Sequence, residues 1–265
     1  LRTMCAGQPY GVPRIGEPED LDEITPQSLY AHYRQILETS RVELFYMGSL
    51  APEQVADVLR QTLQALPRAG QVVPVGTTPA PAARPVQEKT ERLDVTQGKL
   101  SLGFFTDITA NDPRYPALVL AATVFGGGAT SKLFTNVREQ MSLCYYASAS
   151  FEKFKGVLAV ASGVEFSKLE TAKKEILRQL EACCSGEISD YELESARGYL
   201  VSDLKIAMDS PGRLDDFYMG QILLESSATM QDLSDAIARV TKEEAAQAAR
   251  ALRLDTIYEL QGVQA

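Results

Sequence analysis

At 265 residues the chain can bury a sizeable core, as one large domain or two smaller ones. Its formal net charge of −9 offers no basic face to nucleic acid or to an anionic membrane surface, and no apolar run approaches the ~18 residues that a membrane crossing needs. The four cysteines (Cys5, Cys144, Cys183 and Cys184) have neither disulfide-framework nor metal-ligand spacing and read as reduced thiols of a cytoplasmic protein, and with His32 as the single histidine a His-based zinc site cannot be assembled from this chain alone.

In chain order, the first 22 residues are rich in glycine and proline (Gln8-Pro9-Tyr10-Gly11-Val12-Pro13) and read as irregular connection. Thr25-Pro26 starts a helix, Thr25 as N-cap and Pro26 in the first helical position, with Leu29, Tyr33, Ile36 and Leu37 at helical spacing after it. His32 lies on that helix as a surface or boundary residue. Residues 41–48 predict a strand with Val42, Leu44 and Tyr46 on one face. Ala51-Pro52-Glu53 opens a second helix with the apolar stripe Val55, Val58, Leu59, Leu63 and Leu66. The Pro/Ala/Gly/Thr-rich run within 69–90 predicts an extended, semi-stiff linker.

Beyond it, residues 91–95 and 99–106 read as strands, with Leu100, Leu102 and Phe104 alternating against Ser101, Gly103 and Phe105. An apolar helix follows over 113–125, then a glycine-rich corner, a β-prone run from Cys144 and a buried strand over 154–163. An amphipathic helix over 167–184 is closed by Gly186, and Ser189 with Glu192 forms the capping-box pattern of the next long helix. Asp209-Ser210-Pro211-Gly212 breaks that helix, and another runs over 214–225.

Near the end a pattern returns. Val240-Thr241-Lys242-Glu243, a helix, and the β-prone run 255–260 closing on Gly262 repeat the grammar of Ile24-Thr25-Pro26-Gln27, a helix, and the run 41–46 closing on Gly48. Duplication divides the chain into the tail of a first lobe (1–68), the linker (69–90) and a complete second lobe (91–265). It also places about 120 residues ahead of Leu1, in keeping with a chain that does not begin with methionine. The expected fold class is α+β, each lobe two layers of mostly antiparallel sheet covered by helices.

The most informative stretch joins the apolar helix to the strand at Cys144. Gly126, Gly127 and Gly128 are expected to form a structural hinge, with backbone conformations closed to other residues. Thr130 and Ser131 offer caps to a helix that buries Leu133, Phe134 and Val137 and carries Arg138 and Glu139. A phosphate cradle is disfavoured: the Gly-Lys-Ser/Thr ending is missing and a helix, not a strand, precedes the glycines. Lys132 is expected in solvent, and Glu192 and Glu194 as helix-start charges.

The run from Phe125 to Arg138-Glu139, with Ser142-Leu143-Cys144-Tyr145, resembles the glycine-rich turn, helix and strand start of the M16 (insulinase, pitrilysin-type) zinc metallopeptidases. Ile24-Thr25-Pro26, Gly48 and residues 63–67 match the close of that family's first lobe, so the resemblance covers almost the whole chain. It implies a clam shell of two similar lobes, the first holding zinc in a His-x-x-Glu-His motif. The second is metal-free and supplies an arginine and a tyrosine to the substrate peptide and its developing oxyanion; these fall on Arg138 and Tyr145. Three departures stand out. His-x-x-Glu-His is missing, Ser142 stands where the family has glycine, and Tyr145-Tyr146 doubles the aromatic. Together with Gln97-Gly98-Lys99-Leu100, these residues are most similar to a bacterial, Firmicute-type branch of non-catalytic homologues encoded beside a catalytic-type one.

The resemblance thus implies a chain with no catalytic residue, metal or cofactor of its own. Its partners would be an extended peptide, bound by strand addition, and a missing N-terminal lobe or a catalytic M16 homologue that brings zinc; a dimer is left open. The guanidinium of Arg138 suits a peptide carbonyl or carboxylate, and the phenol of Tyr145 suits an oxyanion. The residues also admit a structural reading: Arg138 pairs with Glu139 or Glu165, Tyr145 belongs to the core, and the protein is an assembly subunit without a peptide site.

Overall fold

Thr25 accepts a hydrogen bond from the Ser28 amide at 3.1 Å and Pro26 takes the first helical position, so α1 runs Pro26–Thr39 as its caps predict. A proline again opens α2, Pro52–Leu63. The computed structural model describes residues 1–70, 72–73 and 80–263; the middle of the expected linker, residues 71 and 74–79, lies outside them. Between α1 and α2, residues 41–47 belong to no strand. The strand expected there does not form, because a strand is held by a neighbour's ladder and the described residues supply none. Val42, Leu44 and Tyr46 therefore stay exposed, as does His32 on α1.

One sheet is built from β1 (Gln87–Leu93), β2 (Gly98–Phe105), β3 (Cys144–Glu152), β4 (Val157–Val164) and β5 (Arg253–Gly262), in the order β1-β5-β2-β4-β3. β1 runs parallel to β5 and the other pairings are antiparallel, which is the α+β arrangement expected. β1 begins inside the stretch read as linker, and Arg84 just ahead of it is tied to Asp255 of β5 at 2.8 Å, so the sheet takes in the end of that stretch.

The alternation in β2 decides which face is dry. Leu100, Leu102 and Phe104 share one buried core with Leu158 and Val160 of β4 and with the helices α3 (Tyr115–Gly126), α4 (Leu169–Ser185) and α8 (Lys242–Ala249). α3 is apolar around most of its circumference because it is packed between β3 and the helices α4, α5 (Asp190–Met208), α7 (Met230–Arg239) and α8. α6, Pro211–Leu223, packs outside, against α5. Gly186 ends α4 at φ +85°, a left-handed cap, and Ser189 and Glu192 form the predicted capping box.

The opposite face of the sheet is covered by the amino-terminal stretch. Met4 and Cys5 form a second small core with Phe105, Val157 and Ala80, while the Arg84 guanidinium donates to the Met4 carbonyl at 2.7 Å and Lys155 to Gln8 at 2.6 Å. What reads as irregular connection is a strap across the sheet. No helix among the described residues is long and apolar enough to cross a membrane.

Candidate functional site

The corner between α3 and β3 carries every residue predicted for the site. Its glycines work differently from expectation: none of Gly126, Gly127 and Gly128 has a positive φ. What Gly126 supplies is closeness. A Cβ there would lie 2.7 Å from both the amide nitrogen and the Cβ of Ala149, so α3 meets β3 backbone to side chain. Gly127 is crowded by Thr123 in the same way, whereas Gly128 faces open space. The hinge is thus a tight contact followed by a free joint.

Ser131 then accepts from the Phe134 amide at 3.3 Å, and residues Leu133–Gln140 coil as a π-helix. The wider turn lets the Met141 amide reach back to the Asn136 carbonyl at 3.1 Å. Asn136 is fastened to α4 through the Gln179 side chain at 2.8 Å, which itself donates to the buried Glu175. Lys132, expected in solvent, is buried and forms an ion pair with Glu192 at 2.9 Å. Burial alone would raise the Glu192 carboxyl; hydrogen bonds from Lys132 and Ser189 outweigh it and hold the group below its ordinary value. The corner is thereby bolted to the start of α5.

At the end of the π-helix Arg138 lies over the Phe134 ring, 4.7 Å from its centre. Its Nε donates to the Tyr145 backbone carbonyl at 2.9 Å and one terminal nitrogen donates to Glu139 at 2.7 Å. Between them Ser142 adopts φ +49°, a left-handed conformation that glycine takes without strain. That is the physical reason a glycine suits this position. Tyr145 is the extra residue of a β-bulge: Cys144 pairs with Val164 and Tyr146 with Gly163.

The structure therefore brings Arg138 and Tyr145 together, through the tyrosine's backbone. Tyr145 is 61% exposed, at the outer edge of the sheet, so the reading that made it a core residue does not hold. Its hydroxyl and the second terminal nitrogen of Arg138 have no hydrogen-bond partner among the described residues. Both residues line an open cleft of about 410 Å³, together with Glu139, Ser142, Leu143, Cys144, Glu165 and Lys168. Lys168 pairs with Glu165 at 3.2 Å and donates to the Ser142 carbonyl, also at 3.2 Å. Sequence reasoning did not reach Lys168, which lies just past β4 and enters the site only because β4 pairs with β3.

For zinc the donors do not fit. His32 is exposed on α1, Cys5 and Cys183 are buried in different cores, and the described residues gather no group of three or more His, Cys, Asp or Glu able to hold a metal.

Residues 23–200 match the family model described as the peptidase M16 inactive domain. The chain is 32% identical over 264 residues to a Bacillus subtilis (strain 168) protein named probable inactive metalloprotease YmfF, a match that takes in 100% of this chain and 62% of that protein. It superimposes with a TM-score of 0.86 and 30% identity on a conserved protein from Enterococcus faecalis V583, over 96% of this chain and 60% of the other. A peptidase M16 inactive domain from Pseudomonas fluorescens gives a TM-score of 0.81 at 17% identity, over 99% of this chain and 64% of the other. The chain thus spans 60–64% of the length of these proteins.

Proposed function

The chain belongs to the peptidase M16 family as an inactive, C-terminal-type portion of a peptidase-like protein, and from that premise we propose that it helps to enclose and bind an extended peptide while another lobe or subunit supplies the zinc. The observation that carries this reading is the pair of unspent donors at the free edge of β3: the second terminal nitrogen of Arg138 and the Tyr145 phenol. Among the described residues β3 pairs only with β4, so one row of its backbone groups is open to a peptide strand. A guanidinium and a phenol beside that row would bind its carbonyls, and the phenol could stabilise an oxyanion formed at a zinc held elsewhere. The partner is an N-terminal M16 lobe, a catalytic M16 homologue, or both, and the setting is cytoplasmic.

The 265-residue chain alone should show no chelator-sensitive peptide hydrolysis, and such hydrolysis would refute the proposal. Arg138→Ala and Tyr145→Phe should each weaken binding of an extended peptide several-fold. A second reading has its own support: Arg138 already spends Nε on the Tyr145 carbonyl and a terminal nitrogen on Glu139, as a purely structural residue would. Unchanged peptide affinity in both variants favours that assembly role.

A further inference from the structure

At the far end of β3 from the Arg138 cleft, a separate pocket of about 210 Å³ opens between the loop before α3, the β3–β4 turn, α6 and α7. Its body is apolar, formed by Tyr115, Pro116, Phe217 and Leu233, and a few polar side chains converge on it. Lys153 is the most telling of them. Its ammonium lies 5.1 Å from the centre of the Phe154 ring and 5.9 Å from that of Phe217. The rings steady a cation and accept no conventional hydrogen bond. Among the described residues none of its three N–H donors finds an acceptor, and Glu152 and Asp216 act on it only through space. Burial chiefly pulls the amine below its ordinary value, as fits an ammonium short of bonded anions.

The opposite charge is also present. Asp232 accepts from the Thr229 amide at 2.8 Å and hydroxyl at 2.6 Å, both on Oδ2, which leaves Oδ1 without a bond among the described residues. The side-chain amide of Gln221 is likewise uncommitted. Asp112, the other carboxylate in the lining, is occupied on both oxygens by Arg114. Half-buried Lys153, with its open cation, and exposed Asp232, with its open carboxylate oxygen, thus both line one small apolar pocket, below the roughly 300 Å³ at which drug-sized sites begin.

The geometry points to a site for a free apolar α-amino acid, its carboxylate on Lys153, its ammonium on Asp232 and its side chain between Tyr115 and Phe217. A peptide terminus offers only one of the two charges, and a purely apolar ligand would leave the half-buried Lys153 ammonium stripped of water and unpaired while Asp232 stays in solvent at the rim.

The test is calorimetric titration of the full 265-residue chain with L-phenylalanine, N-acetylphenylalanine and phenylalaninamide. Phenylalanine should bind with a Kd on the order of 1 mM or tighter, and blocking either end should weaken it at least about tenfold. In Lys153→Met, phenylalanine and phenylalaninamide should bind alike. In Asp232→Asn, which keeps an oxygen for the Thr229 cap, phenylalanine and its N-acetyl form should bind alike. Circular dichroism matching the native chain establishes that each variant is folded. Equal binding of the three ligands to the native chain, or none by any of them, overturns the assignment. N-acetylphenylalanine binding as well as phenylalanine also overturns it, in favour of a peptide carboxyl terminus.

Discussion

Arg138 reaches across seven residues to donate its Nε proton to the backbone carbonyl of Tyr145 at 2.9 Å, and so fixes the bulge at the start of β3 with the side chain that also lines the cleft. Holding the strand and presenting a guanidinium are one act of geometry. Arg138→Ala should lower stability by only about 0.5–1.5 kcal/mol, since the freed carbonyl lies at an exposed edge where water can replace the donor. Amide hydrogen exchange at residues 144–146 should nevertheless quicken while the core strand β2 keeps its protection. Unaltered exchange at the bulge would show that the bond does not hold it.

Ser142 is strained where a glycine would not be. A left-handed conformation costs an L-residue roughly 1–2 kcal/mol, and glycine forfeits about 0.4–1 kcal/mol of that advantage through its freer unfolded chain. Ser142→Gly should therefore stabilise by up to about 1.5 kcal/mol, and Ser142→Val should destabilise because a β-branched side chain tolerates positive φ worst. Denaturant unfolding that ranks the three as glycine, serine, valine supports the account; valine equal to serine contradicts it.

The glycine corner makes a sharper contrast. At Gly126 a methyl group would meet Ala149 at 2.7 Å, and relief requires α3 and β3 to part, so Gly126→Ala should cost about 1–3 kcal/mol. At Gly128 nothing lies within 4 Å and φ is not positive, so Gly128→Ala should be neutral or stabilising by about 0.4–1 kcal/mol. Thermal unfolding of the two variants decides the matter, and equal losses would mean that conformational freedom, not contact, is what the corner needs.

These cases mark what the sequence could reveal. The β2 alternation gave the buried face, and the Thr25, Ser189 and Thr241 caps fixed helix starts, because each signal is local. The run at 41–48 carries the same β-prone pattern as β5, yet among the described residues only β5 has strands on both sides; pairing is a property of neighbours, not of the run itself. Glycine triplets announce permissiveness without saying whether φ or space is the need. Lys132 read as a solvated cation because its partner Glu192 is sixty residues away, and Met4 and Cys5 gave no hint of the sheet face that they cover. Of the candidate site, Arg138 and Tyr145 are singled out only by their fixed spacing in a family motif. Lys168 and the Gln179–Asn136 fastening depend on the tertiary packing of β4 and α4.

The pair of buried Lys132 and half-buried Glu192 yields a prediction in pH. Glu192 keeps its carboxyl below the ordinary value in the fold, so its ionisation favours folding above the ordinary carboxylate range, and that contribution is lost as pH falls through the folded value. Lys132→Met removes the hydrogen bond and the charge that oppose burial, leaving Glu192 in the same half-dry place with only Ser189 to satisfy it. At pH 7 the variant should lose about 2–3 kcal/mol, less than the about 3–5 kcal/mol of a fully buried pair because the Ser189 bonds remain. Near pH 3.5, where unfolded carboxylates are largely protonated, Glu192 takes up its proton and the deficit should shrink. Urea unfolding of both chains at the two pH values measures it. A deficit that is the same at both would mean that Lys132 stabilises the corner by its packed stem and not by its charge.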